Sequence, residues 1–576
     1  MKRLLIINIA RLGDLLQSSP LIQGLKRQGE VELTFLVPDV FAEVAGMIPG
    51  VDRVATLPME KIVTPLMAPR GGMMTMYRSL ETAITGLRAT PFDQILNITH
   101  SAYSAVLTAL IARGTPAEIA GISLDADGSR FVGGQWANYY LNVCSNRLFN
   151  RFNLVDIHRQ IGGAPPIGGL SVTIPDVERD RADELIRASG LSGRRLVAVI
   201  PAASTREKQW APGLMIKTLQ GLKRITDATP ILLGAAKEQP LGDKIVAEVP
   251  DTVNLCGKTS VALMGAILER CELCITNDTG PMHMAAAVGT PILDISLGSA
   301  LSHETAPYGT GHIVVESRIR CYPCLPKLRC SHYSCHGHIA PELVSKLAAA
   351  MLERRLPEQI PDDLEYAGIN IHRTGFDADG WWRLRPVIRR ELTQAELSNH
   401  ALREMWRRTL NALPAWAAQY LASAGDLGRE LASHYESVER SLDPASAEAA
   451  ARTVAGLARS GLSASGELAR YGDGRRNVSR IMTLGATLKQ VDTDLARIGH
   501  ATPELAPLIA QFIYGKNQLT GDRLGALARG TAELYRNLAE WTLALPKWVR
   551  GIQNGLTGIE PEGVKALAPL PQAIAV

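Results

Sequence analysis

The sequence predicts an α/β protein made of two parallel-sheet units facing a cleft, followed by an all-α helical extension. Three observations carry that expectation. Over the first 345 residues, short β-rich runs alternate with helical stretches, the pattern of parallel sheets flanked by helices. The stretch "GGAPPIGG" at 162–169 interrupts this alternation with linker composition. Beyond residue 393, apolar residues recur at helical spacing. The expected division is 1–168, 169–355, a linker over 356–392 and a helical domain over 393–576.

The strand candidates of the first unit are residues 4–9, 33–37 and 94–98, with a helix over 15–27. A helix over 176–189 leads into the second unit, whose strand candidates are 196–200, 231–234, 273–276 and 292–296, with a helix over 211–225. Each strand is a short apolar run closed by turn residues, and each helix repeats its apolar residues every three or four positions.

Bulk properties narrow the function. The chain has 576 residues, 46% of them hydrophobic, which is ample for more than one core. Its 61 Lys and Arg stand against 57 Asp and Glu, a net charge of +4. Near-balanced charge and 5% aromatic content argue against nucleic acid as a partner. Lys2 and Arg3 precede an apolar run, but it is too short for a signal peptide and lacks a cleavage site. No uncharged stretch is apolar enough to read as a bilayer span; the longest, 94–112, carries Gln94, Asn97, Thr99, His100, Ser101, Ser104 and Thr108. The expectation is a cytoplasmic protein, with peripheral contact at the inner face of the inner membrane left open.

Ligands of open α/β sheets bind at the carboxyl ends of strands, which singles out three turns. In "ITNDTGPMH", Thr279 is placed to cap a helix, with Gly280 and Pro281 in its first turn. Open backbone N–H groups and the helix dipole there suit an anion. Asp278 can accept from ligand hydroxyls, and His283 lies one turn on; a capped helix without a ligand is the alternative. In "PAASTREKQWAP", Ser204, Thr205 and Lys208 follow a strand, and a lysine there suits a phosphate as a compact point charge. The third turn, "INIARLGD", carries Asp14.

Together, "RLGDLLQSSPLIQGLKR", "PAASTREKQWAP" and "NDTGPMHMAAAVGTPILDIS" with a later "APYG" resemble glycosyltransferase family 9, the ADP-heptose:lipopolysaccharide heptosyltransferases. The likeness covers residues 1 to about 350. It implies a GT-B fold of two Rossmann-like domains, with the nucleotide-sugar held mainly by the second. It further implies inverting transfer without a catalytic metal, ADP-heptose as donor and a lipopolysaccharide core hydroxyl as acceptor. Asp14 matches the family's catalytic base. Lys208 matches the lysine that neutralises the donor diphosphate, and Asp278, Thr279 and Gly280 match the donor turn. Ser204, Thr205 and His283 would line the same pocket; a packed core histidine is the alternative for His283. Where the family usually has Pro-Gly-Ala, this chain has Pro201-Ala202-Ala203. The first domain should present the acceptor, and "NITHSAYS" offers Thr99, His100 and Ser101 at a strand end, apt for a hydroxylated acceptor and equally for a polar loop.

Four of the eight cysteines, Cys321, Cys324, Cys330 and Cys335, are spaced C-x2-C-x5-C-x4-C. Such a set can close tetrahedrally around a structural zinc or iron. His332, His336 and His338 are substitute ligands; disulfides and free thiols are the alternatives. Some protein-modifying members of the family carry a similar metal finger.

In the C-terminal region, Thr393 and Glu396 form a capping box. Apolar stripes run through 481, 484, 488, 491, 495 and 498, and through 524, 527, 531, 534, 538, 541 and 545. Leu431, Tyr435, Val438 and Leu442 continue the theme. These stripes suit a helical bundle, with a homo-oligomer or an acceptor-recruiting module as the sharper alternatives. Besides a lipopolysaccharide-core transferase, the sequence leaves open a protein-modifying transferase with a protein acceptor, and a catalytically silent scaffold.

Overall fold

The computed structural model describes residues 1–67, 72–325, 330–354, 368–413, 418–439, 444–472, 477–521 and 523–558. The chain divides into two compact units, one of residues 1–120 and 152–388, the other of 121–151 and 389–576. This differs from the division expected at 168, 355 and 392.

The first unit holds two α/β lobes. In the N-terminal lobe, four parallel strands lie in the order Arg53–Leu57, Val31–Pro38, Lys2–Ile7, Gln94–Asn97. Lys2–Ile7 is central, and its last four residues are buried, as expected of a strand covered on both faces. The chain winds outward from it on one side, then crosses to begin again with Gln94–Asn97 on the other. The ends of these two strands therefore flank a topological switch point, where open α/β sheets take their ligands.

The second lobe repeats this plan. Its strand order is Trp382–Pro386, Ile369–Phe376, Ile313–Ser317, Ile292–Ser296, Leu273–Thr276, Leu196–Val199, Thr229–Leu232, Val253–Asn254. The six strands from Ile313–Ser317 onward are parallel, and the first two are antiparallel. Here the switch point falls between Leu196–Val199 and Leu273–Thr276. Cores lie on both faces: Ile231, Cys274, Ile292 and Val314 on one, Leu232, Ile275, Leu293 and Val315 on the other.

The expected linker over 356–392 is corrected by the two antiparallel strands. They are fixed to the lobe by buried polar contacts. The fully buried Asp156 accepts from Arg159 at 3.3 Å, the Tyr308 hydroxyl at 2.9 Å and the Trp382 backbone N–H at 3.1 Å. Residues 355–367 lie outside the described residues.

The other unit is mainly helical. Its helices are Gln135–Ser145, Gln394–Thr409, Ala418–Ala432, Pro444–Gly472, Val478–Ala501, Ala506–Asn517 and Leu524–Thr557. The capping box forms: Glu396 N–H donates to the Thr393 hydroxyl at 3.2 Å, and Thr393 N–H donates to Glu396 Oε2 at 3.0 Å. Two expectations change. Tyr435–Val438 is a strand paired with Arg390–Leu392, so the stripe through 431, 435 and 438 is not helical; β-favouring Tyr and Val bound that strand. Leu442 lies outside the described residues.

In Leu524–Thr557 the buried face includes Ala528, Ala532, Tyr535 and Ala539, while Leu524 is exposed. Small residues let neighbouring backbones come close. A Cβ added at Gly428 would lie 2.2 Å from the Ile552 carbonyl oxygen, and one at Gly555 would lie 2.2 Å from that of Gly425. Among the described residues, no helix is long and apolar enough to cross a membrane.

Candidate functional site

The two switch points of the first unit meet. Asp14 lies in the short helix Leu12–Leu16 just past the first strand. Its carboxylate accepts from the Arg11 backbone N–H at 3.1 Å. Buried Asn8 fixes this turn, its amide donating to the Asp14 carbonyl at 3.0 Å and to the Ser18 hydroxyl at 2.8 Å. On the second lobe, His283 sits in the helix Gly280–Ala287. A Cβ added at Gly13 would lie 2.7 Å from His283 Cδ2. Glycine at 13 thus permits the close approach of the two turns.

Near His283, Lys208 Nζ and Asp278 Oδ2 form an ion pair of 2.6 Å. Lys208 belongs to the loop after Leu196–Val199, and Asp278 to the turn after Leu273–Thr276. Asn277, fully buried, joins the same two elements: its Oδ1 accepts from the Trp210 backbone N–H at 3.1 Å, and its Nδ2 donates to the Ile295 carbonyl at 2.6 Å. Sequence reasoning passed Asn277 over as an ordinary turn residue. Its signal was the position before Asp278, at a strand end beside a second anion-suited loop.

Thr279 takes the N-cap position with extended backbone, but its hydroxyl makes no capping bond. Gly280 follows, 3.4 Å from Leu12 Cδ2 by its added Cβ, which brings the helix start against the Asp14 helix. Ser204 and Thr205 are exposed on the Lys208 loop, where the Thr205 carbonyl accepts from the Lys208 and Gln209 N–H groups, both at 3.2 Å. His283 is buried, and its Nδ1 has no hydrogen-bond partner among the described residues. Burial holds its pKa low and the Lys208 charge adds to this, against Asp278 and Asp14. It is a neutral imidazole packed where the lobes touch.

The residues expected to contact an acceptor divide. The Thr99 hydroxyl accepts from the Ile9 N–H at 3.0 Å, and the Ser101 hydroxyl accepts from the Ser104 N–H at 3.1 Å. Both hydroxyls hold the turns in shape. His100 is exposed at the mouth and close enough to Asp14 for that carboxylate to oppose the lowering of its pKa by the surrounding protein. His158, buried on Leu154–Ile161, is held near pKa 3 by burial and by His100. Its distance in sequence gave no signal.

Asp294, central in Ile292–Ser296, is fully buried, with neither carboxyl oxygen partnered among the described residues. Burial first, then Asp278 and Glu316, push its pKa well up, so it is a neutral acid.

The four cysteines occupy one neighbourhood. Cys321 is exposed, Cys324 and Cys330 are half-buried, and Cys335 is buried. Burial raises the Cys324 pKa, and Cys335, Cys330 and Cys321 raise it further. Among the described residues, no group of three or more His, Cys, Asp or Glu side chains is placed to hold a metal ion. The ligand cage expected from the spacing is thus not formed by these side chains as placed.

Two doubly wound lobes whose switch-point turns meet define a GT-B fold. Residues 82–333 match the sequence pattern of glycosyltransferase family 9 (heptosyltransferase). Over this region the chain is similar to that family. It is 28% identical over 170 residues to lipooligosaccharide heptosyltransferase 2 of Campylobacter jejuni, a span of 28% of this chain and 52% of the relative. Over 304 residues it is 21% identical to the lipopolysaccharide core heptosyltransferase OpsX of Haemophilus influenzae, covering 51% of this chain and 78% of the relative. The crystal structure of a family 9 glycosyl transferase from Veillonella parvula aligns with TM-score 0.48 and 18% identity, over 61% of this chain and 97% of that one. The chain spans about half the length of the first curated relatives it matches, 52% and 50%.

Proposed function

We propose that this chain is an inverting glycosyltransferase that moves a heptose from ADP-heptose to a hydroxyl of a lipopolysaccharide core acceptor. The observation that carries this reading is the close approach of the Asp14 turn to the helix that starts just after the Lys208–Asp278 pair. The family match and the names of the relatives support the sugar and acceptor class.

In this mechanism Asp14 accepts the proton of the acceptor hydroxyl. That oxygen bonds to the anomeric carbon as the carbon's bond to the diphosphate breaks, which inverts the centre. Lys208, the Gly280 N–H and the dipole at the start of Gly280–Ala287 stabilise the charge gathering on the leaving diphosphate. Asp278 orients Lys208 and is available to donor hydroxyls. His100, whose titration feels the Asp14 charge, is available to an acceptor approaching that carboxylate.

A protein acceptor is the second reading, favoured by the helical unit, most of which lies outside the family match. Labelled ADP-heptose offered with core oligosaccharide and with cell protein extract separates the two. Label in the oligosaccharide supports the first reading; label only in polypeptide overturns it for the second. A structural zinc or iron would have to draw the four cysteines together, since metal binding and local folding are coupled.

A further inference from the structure

The loop that carries Lys208 is anchored from behind by the cysteine-rich segment. His336 lies in the short helix Ser334–His338, and it is buried. Its Nε2 is 3.1 Å from the Glu207 carbonyl oxygen. A carbonyl can only accept, so this ring nitrogen carries the hydrogen. The backbone carbonyl of His336 in turn accepts from the Trp210 indole Nε1–H at 3.1 Å. One residue thus grips the chain on either side of Lys208, at 207 and at 210.

Other contacts hold the same place. Cys324 N–H donates to the Gly298 carbonyl at 2.8 Å. Gly298, at φ +61°, presses on the Glu207 peptide so closely that a Cβ there would lie 2.5 Å from the Glu207 oxygen. The Arg206 guanidinium stands 5.4 Å from the centre of the Tyr333 ring, and that ring meets His336 edge-on at 5.4 Å. Tyr333 itself is held left-handed, at φ 47°. A non-glycine residue keeps such a conformation only where its surroundings over-determine it.

We propose that His336 is a positioning residue for Lys208: its two hydrogen bonds set the loop so that the ammonium group reaches Asp278 and the donor diphosphate. The inference rests on the donor role proposed for Lys208. It gives the segment around Cys335 a task in donor binding through its backbone and His336.

The test uses full-length protein and calorimetric titration with ADP. His336→Gln keeps an N–H donor near the Nε2 position and should bind ADP as the parent does. His336→Phe keeps the ring bulk without the donor and should weaken ADP about tenfold, the scale of a misplaced charge-assisted contact. Trp210→Phe removes the other bond and should act in the same direction, which keeps the inference testable should His336→Phe fold poorly. Because His336 acts through Lys208, adding His336→Phe to Lys208→Ala should cost no further affinity. Additive losses in the double variant, or parental affinity in both His336→Phe and Trp210→Phe while Lys208→Ala is weakened, would overturn the inference alone. Parental affinity in Lys208→Ala would overturn the donor reading and the inference with it.

Discussion

Lys208 Nζ lies 2.6 Å from Asp278 Oδ2 and ties together the two strand-end turns of the second lobe's switch point. The pair is largely shielded, with 18% and 9% of the side-chain surfaces exposed, so it is more than an incidental surface contact. In the proposed donor role, a diphosphate would meet a cation already held in place, with less side-chain freedom to lose on binding.

Lys208→Ala should weaken ADP binding by about 1.5–3 kcal/mol, the range for a hydrogen bond to a charged group. It also leaves the Asp278 carboxylate buried without its cation, with the carboxyls of Asp294 and Glu316 behind it. The melting temperature should therefore fall as well. Lys208→Met, measured beside it by calorimetry and thermal melting, restores the stem but not the charge and should recover neither loss fully.

Asp14→Asn should preserve the fold, because an amide oxygen can still accept from the Arg11 N–H that the carboxylate now holds at 3.1 Å. ADP affinity should stay at the parental value. The rate of transfer should drop about 10²- to 10⁴-fold, as expected on loss of a general base. Parental turnover with labelled donor would take Asp14 out of that role.

Much of this site is legible in the sequence, and the reason is local. Strand ends announce themselves by an apolar run stopped by polar turn residues, so Asp14, Lys208 and Asp278 could each be singled out alone. The pairing of Lys208 with Asp278 could not. It depends on Leu273–Thr276 crossing back to lie beside Leu196–Val199, a choice made by the winding of the whole sheet. The same holds for His158 and for the Asp156 network, whose partners are far apart in sequence. In the helical unit, the stripe of large apolar residues finds Leu538, Trp541 and Leu545 on the buried face of Leu524–Thr557 but leaves out Ala528, Ala532 and Ala539 beside them. Glycine and alanine let the backbones approach there, and a hydrophobic pattern gives such residues little weight.

The helical unit should show its own pH dependence. Burial pushes the Glu540 carboxyl from 4.5 up to about 7, against the opposing pull of Arg536. A raised carboxyl contributes stability that is fully present below pH 4.5 and lost as pH rises through about 7. Glu540→Gln removes that loss. The variant should match the parent near pH 4 and exceed it by about 1–2 kcal/mol at pH 8, after discounting for the half-exposed position. Denaturant melts at the two pH values check this; an equal difference at both would disprove it.

For the cysteine segment, if metal binding draws the four thiolates into a closed site, elemental analysis of purified protein should find about one zinc or iron per chain. Cys324→Ser should release the metal and lower the melting temperature. Metal-free protein of parental stability would leave the thiols as ordinary packing groups.

The last expectation concerns where the chain can be cut. Residues 1–355 hold every turn proposed to bind the donor, which makes a truncation there attractive from sequence. That cut removes Ile369–Phe376 and Trp382–Pro386, and with them the Trp382 N–H on buried Asp156. A cut after 388 keeps those strands but strips the partners from the segment 121–151. There the Trp136 indole donates to Asn411 at 3.0 Å and the Asn142 amide to Gln511 at 2.6 Å, while the Tyr139 ring packs 5.9 Å from Trp406. Trp136, Tyr139, Tyr140, Leu141 and Val143, all buried now, would form a large exposed apolar patch. Truncation after 388 should therefore yield aggregating protein. Replacing 121–151 by a short glycine-serine loop in the same truncation should restore a soluble monomer that binds ADP. Size-exclusion chromatography with calorimetry distinguishes these outcomes, and a soluble, ADP-binding 1–355 fragment would contradict the assignment of the two edge strands to this lobe.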